Sequence, residues 1–337
     1  MQKLYKTMFM MSMMMGTLIT ISANNWLGMW MGLEINLMSI IPLMSSQKNA
    51  CESESALKYF VTQAMASTML LLSMILTMSD YSSIQSMEPT YSTMMMNASM
   101  LTKMGVAPFH FWFTEVINGL PWTMVIIMVN WQKIAPTIVL INSNKSNYLL
   151  ITAIISSMLI SGLMGINQTS LRKIMAYSSI NHMGWMLGAI LSNQAIWLMY
   201  MIIYTMTSNA TIWMFMSTSS YTMNQLMNSM NESKQLKLIL SLNLLSMGGL
   251  PPFLGFLPKW MTINFMIEEQ MFMMALLMIV LTLPTMYFYM RTAFTWMTLG
   301  TLEMKIKSKP ELDNLTIMLN SISLLGLPIS TLMLNFL

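Results

Sequence analysis

The chain has 337 residues, of which 55% are hydrophobic and only 8% charged, with a formal net charge of +4. An ordinary globular domain carries about 25% charged residues, so this composition, with a mean hydropathy of +0.58, excludes a soluble domain and describes a polytopic membrane protein. A single cysteine, Cys51, excludes a disulfide framework and any four-cysteine metal or iron–sulfur site, and no basic run interleaved with aromatics supports nucleic-acid binding.

A membrane-spanning helix needs about 20 apolar residues. Taken in order, the apolar runs predict spans near 4–22, 26–44, 57–78, 91–111, 121–142, 148–166, 173–192, 195–218, 236–267, 270–290 and 317–336, eleven in all. Lys3 and Lys6 precede the first run without a small-residue cleavage site after it, the pattern of a protein inserted without a cleaved leader. The connections are short except 45–56, 79–90, 219–235 and the charged loop 291–314, so any chemistry must occur within the membrane or in partner chains.

Lysine and arginine in the loops orient such a protein. Lys3, Lys6, Lys48, Lys58, Arg172, Lys173, Lys234, Lys237, Arg291, Lys305, Lys307 and Lys309 fall on one face. Lys145 falls on the other, with Asp80, Glu88, Glu268 and Glu269. The N-terminus is thus expected inside and the C-terminus outside. The 49 methionines are spread through every apolar segment, which reads as replacement of Ile and Leu rather than as a soft-metal site.

The fourth span holds Lys103-Met-Gly-Val-Ala-Pro-Phe-His-Phe-Trp112. An ammonium in hydrocarbon costs about 2.5–3.5 kcal/mol even on insertion scales and calls for a partner or water. Pro108 cannot continue the helical ladder, and backbone freed at membrane depth survives only where protein or a water-filled cavity receives it. Gly105-Val-Ala-Pro108-Phe109 returns as Gly249-Leu-Pro-Pro252-Phe253, displaced by 249 − 105 = 144 residues, with Lys259 beside the second copy. The copies lie five spans apart, in the fourth and the ninth. An odd number inverts the second, so the expected architecture is all-α, with two inverted five-helix repeats, 1–143 and 146–291, and a loop and final helix in 292–337.

Apart from the loop charges, Glu34, Lys103, Lys133 and Lys259 sit deep in spans. One carboxylate cannot neutralise three lysines; Glu34 is expected to pair with Lys103. A desolvated lysine gives up its proton more readily than one in water, and coupling between such groups is what a proton pump requires. His182, mid-span, and His110, in the first break, are candidate relays, because imidazole titrates near physiological pH. They lie too far apart in sequence from each other and from carboxylates to indicate a metal site. Dinucleotide, Walker and nucleophile-elbow motifs are absent.

Together, Gly32-Leu-Glu-Ile-Asn36, Lys103–Trp112, Trp131-Gln-Lys-Ile-Ala-Pro136, Leu171–His182 and Pro251–Trp260 resemble the subunit 2 family of mitochondrial NADH dehydrogenase, antiporter-like members of respiratory complex I. The likeness runs end to end, and the methionine excess fits a mitochondrial genetic code. It implies that Glu34 is the carboxylate paired with Lys103 of the first broken helix. Lys133 would be the lysine connecting two half-channels, Lys259 that of the second broken helix, and His182 part of a central hydrated axis. It further implies proton translocation coupled to NADH oxidation by ubiquinone, with protons passing from Lys133 to Lys259. NADH, FMN, iron–sulfur clusters and ubiquinone would be bound by other subunits. The implied partners are other complex I membrane subunits, especially 4, 4L and 6, accessory subunits and lipids including cardiolipin, in the mitochondrial inner membrane. The residues alone leave two other readings open: a self-standing cation/proton antiporter, and a membrane scaffold whose charges only pin helices together.

Overall fold

The computed structural model describes residues 2–46, 49–80, 91–143, 146–230 and 234–298, with residues 318, 320, 321, 323 and 326 of the last predicted span. Lys48, Lys145, Glu88, Lys305, Lys307, Lys309 and most of the final span lie outside the described residues. Among the described residues the architecture is all-helical, and Ser170 and Thr222 form an isolated antiparallel bridge between two loops. Among the described residues six helices are long and apolar enough to cross a membrane: Leu4–Ser22, Trp26–Met44, Ala50–Met78, Trp122–Asn142, Asn147–Ile166 and Phe272–Met297. The chain divides into two compact units, Met1–Ala153 and Ile154–Leu337.

The first unit contains α1 (Gln2–Ser22), α2 (Trp26–Met44), α3 (Ala50–Asp80), α4 (Tyr91–Met104), α5 (Phe111–Gly119), α6 (Trp122–Val129) and α7 (Ile134–Asn142). Between membrane helices there is little hydrophobic driving force, so close packing of small residues takes its place. Here α1 meets α2 at Gly16 and Gly32. A Cβ on Gly32 would stand 2.8 Å from the Gly16 carbonyl oxygen, and one on Gly16 would stand 2.9 Å from the Asn36 nitrogen. Leu4, Met8, Met11, Met15 and Leu18 form the outward stripe of α1 at helical spacing, as a lipid-facing surface requires. The predicted fifth span is interrupted by a 3-10 turn, Trp131–Lys133, which separates α6 from α7.

The chain passes from one unit to the other within α8 (Asn147–Ile166). The second unit continues with α9 (Leu171–Ser192), α10 (Gln194–Ser217), α11 (Met223–Ser229), α12 (Lys234–Gly248), α13 (Phe256–Glu268) and α14 (Phe272–Thr298). Every residue of α9 from Ile174 to Ile190 is buried. A helix covered on all sides is the core of its bundle, and α9 accordingly touches α10, α13 and α14. Thr222 and Gln225 form a capping box at the start of α11, while Asn243 of α12 bonds with Asn320 and Ser323 of the last predicted span.

Candidate proton-translocation site

Both predicted breaks are present and share a backbone geometry. Helix α4 stops at Met104, where Gly105 takes a φ of +69°, and α12 stops at Gly248, where Gly249 takes +82°. These are left-handed values that a Cβ would oppose. In the first break the Val106 amide donates to Leu101 O and the Gly105 amide to Thr102 O. In the second, Leu250 donates to Leu245 O and Gly249 to Ser246 O. Each is a Schellman closure. The turn that follows also recurs, with Phe109 donating to Val106 O and Phe253 to Leu250 O. The Ala107–Pro108 peptide of the first break is cis.

The carbonyls opened by the first break are received by side chains. Trp112 Nε1 donates to Thr102 O at 3.1 Å, and Gln63 Nε2 of α3 to Lys103 O at 3.3 Å. At the second break the donor is the lysine itself: Lys259 Nζ gives a 2.7 Å bond to Gly248 O. Lys103 belongs to the last turn of α4 and Lys259 to the first turn of α13. Both positions put a cation at the C-terminal end of the half-helix before the break, where the helix dipole favours it. The lysines therefore lie on opposite sides of their breaks in sequence while serving the same helix end.

All three lysines are buried: Lys103 at 6% exposure, Lys133 at 2% and Lys259 at 7%. Lys133 ends the 3-10 turn, and its ammonium lies 5.4 Å from the centroid of the Phe113 ring. That ring packs on Gly105, where a Cβ would stand 2.9 Å from the Phe113 Cβ, so one aromatic side chain links the first break to Lys133. Lys259 lies 5.7 Å from the centroid of Trp185 on α9. Such contacts hold a cation through the ring's quadrupole. Glu34 and Lys103, expected as a pair, form no contact ion pair. The Glu34 Oε1 is buried and makes no hydrogen bond among the described residues. Lys58, by contrast, pairs directly with Glu54 at 3.0 Å and Glu115 at 2.8 Å, on exposed faces of α3 and α5.

His182 is buried in α9, with its Nδ1 2.9 Å from the Tyr200 hydroxyl on α10 and its ring centroid 4.9 Å from that of Tyr204. The neighbouring Asn181 donates to Thr285 Oγ1 on α14. Within one turn or so of α9, His182 thus addresses α10, Asn181 addresses α14 and Trp185 addresses α13. His110 caps the start of α5, with Nδ1 3.3 Å from Pro108 O and its ring against Phe111. The first unit brings together Glu34, Lys103, Lys133 and the break that His110 occupies. The second holds Lys259 and His182 on adjoining helices. Among the described residues no cluster of three or more His, Cys, Asp and Glu is arranged to hold a metal ion.

Residues 23–285 match the family described as NADH:quinone oxidoreductase/Mrp antiporter, TM. The Anopheles gambiae NADH-ubiquinone oxidoreductase chain 2 is 44% identical over 333 residues, covering 97% of each chain. The chain belongs to the NADH-ubiquinone oxidoreductase chain 2 family. Its relative of the same name in Ovis aries is 39% identical over 290 residues, covering 85% of this chain and 84% of that one. The fold is shared with a chain of respiratory complex I from Thermus thermophilus, at a TM-score of 0.85 and 21% identity over 97% of this chain and 78% of that chain. A chain of the Dietzia Mrp complex also shares it, at a TM-score of 0.75 and 14% identity over 87% and 60% respectively.

Several members of the site are not singled out by the sequence. Gln63, Phe113, Trp185, Tyr200 and Tyr204 all touch a predicted site residue or its backbone. Their sole signal was polarity or aromaticity inside an apolar span, which also describes many residues with no such contact.

Proposed function

We propose that this chain translocates protons as a core membrane subunit of a NADH:ubiquinone oxidoreductase, with Lys103, Lys133 and Lys259 as proton-loading groups. Glu34 sets the electrostatic environment of Lys103, and His182 and His110 relay protons. The observation that carries the reading is the repeated break: two Schellman-closed interruptions of membrane helices, each with a buried lysine at the same helix end. Broken helices with buried charge mark ion pathways in membrane transporters. The name carried by the relatives supplies the reaction to which translocation is coupled.

In this reading the chain crosses the inner mitochondrial membrane eleven times, with the N-terminus in the matrix and the C-terminus in the intermembrane space. Two inverted five-helix repeats, 1–143 and 146–291, precede the final helix. NADH, FMN, iron–sulfur clusters and ubiquinone are bound by other subunits. Membrane subunits 4, 4L and 6, accessory subunits and cardiolipin flank this one. The bond from Lys259 to Gly248 O favours a second role, since it also closes a helix end.

Proton export per NADH in sealed vesicles holding the assembled complex with Lys103→Met separates these roles. Loss of export with assembly intact supports translocation. Full export from every assembled complex would leave the lysines as scaffold only.

A further inference from the structure

Helix α2 carries Glu34 and, two residues on, a second polar side chain. Asn36 is 4% exposed and makes a reciprocal amide pair with Gln132 in the 3-10 turn. Asn36 Nδ2 donates to Gln132 Oε1 at 3.0 Å, and Gln132 Nε2 donates to Asn36 Oδ1 at 3.1 Å. The Tyr59 hydroxyl of α3 donates to the same Gln132 Oε1 at 3.4 Å. Gln132 immediately precedes Lys133.

The geometry has a direct mechanical meaning. Positions two apart in an α-helix are turned by about 200° around its axis, so Glu34 and Asn36 address different surroundings. In the proposed function Glu34 serves Lys103 of α4, whereas Asn36 grips the turn that ends at Lys133. Helix α2 is therefore the element common to both lysines. Its position is fixed on a further side by the close crossing with α1 at Gly16 and Gly32, where the Gly16 surface abuts the Asn36 backbone. A buried polar pair breaks only with a desolvation penalty on both partners, so a shift of α2 drags the 3-10 turn with it or leaves two amides unsatisfied.

We propose that the Asn36–Gln132 pair, seated against Tyr59, is a positioning bridge that couples the Glu34–Lys103 end of the first unit to Lys133. It rests on the reading of Glu34 and Lys133 as proton-translocation residues. The bridge carries no proton itself; it sets where the Lys133 ammonium sits when the charge around Glu34 changes.

The test is a double-mutant cycle in the assembled complex, reading proton-coupled NADH turnover in sealed vesicles and uncoupled NADH oxidation as the control. The variants are Gln132→Leu, Glu34→Gln, their combination, and the reciprocal exchange Asn36→Gln with Gln132→Asn. If Gln132→Leu does not assemble, the near-isosteric Gln132→Glu takes its place, since it deletes the bond donated to Asn36 Oδ1. The bridge predicts that breaking the pair lowers coupled turnover about three- to tenfold, the equivalent of one net hydrogen bond. The reciprocal exchange restores most of that loss. The combination falls no further than the more affected single variant, because both act along one linkage. Full coupled turnover in the broken pair, or losses that multiply in the combination, would overturn the bridge while leaving Glu34 in place. Unchanged coupling in Glu34→Gln would overturn the role of Glu34, and the bridge to it would fall as well.

Discussion

The Lys259 ammonium and the Gly248 carbonyl oxygen stand 2.7 Å apart, so the side chain that follows the second break closes the helix that precedes it. This bond ties the charge state of Lys259 to the integrity of the α12 end. A neutral amine can still donate there, but a charged donor binds the carbonyl more strongly. Removing the donor leaves a buried acceptor unsatisfied, at about 1–3 kcal/mol. Lys259→Met should therefore lower both proton export and the thermal stability of the assembled subunit. Lys259→Gln, which keeps a donor, should lose export with a smaller fall in stability. Thermal dissociation of the complex, followed beside proton export, checks the separation.

The two left-handed glycines make a matched pair of predictions. A left-handed conformation costs a non-glycine residue about 1–2 kcal/mol. A Cβ would in addition meet Phe113 at the first break, and Lys259 Cδ, 2.9 Å away, at the second. Gly105→Ala should thus disturb the ring beneath Lys133, and Gly249→Ala the bond from Lys259. Both should destabilise assembly by at least that amount and slow coupled turnover.

Tyr200 supplies the hydroxyl on His182 Nδ1, and both residues are buried. Tyr200→Phe keeps the ring and removes the bond, at a net 0.5–1.5 kcal/mol or so. The expected result is normal assembly with coupled turnover reduced a few fold. Tyr200→Leu, which also removes ring packing, should reduce assembly as well.

The exposed pair of Lys58 and Glu115 is the contrasting case. Exposed ion pairs contribute little, so Glu115→Gln should leave proton export per NADH unchanged. The same vesicle assay detects any departure.

Much of this arrangement is legible in the sequence. Spans follow from apolar length, and the breaks from glycine and proline in an apolar run. The three lysines stand out because charge is costly there. The partners do not stand out. Asn36 and Gln132 are 96 positions apart, and His182 and Tyr200 meet across two helices, so their pairing is a tertiary fact that no local period encodes. The 3-10 turn at Trp131–Lys133 is likewise unmarked: Pro136 sits just beyond it, inside the first turn of α7, where proline is tolerated. Glu34 and Lys103, expected as a pair, form no contact ion pair. Helix spacing alone sets their distance, and spacing is a property of packing.

In the proposed function the buried lysines carry protons. Lys133 tests it most directly, because its ammonium is buried at 2% exposure against Phe113. The decisive measurement is proton export per NADH oxidised by the assembled complex with Lys133→Met, with uncoupled electron transfer confirmed intact. Coupled turnover that collapses, or continues with fewer protons exported, is the predicted result. Full turnover at full stoichiometry would contradict it and make the lysine a structural group.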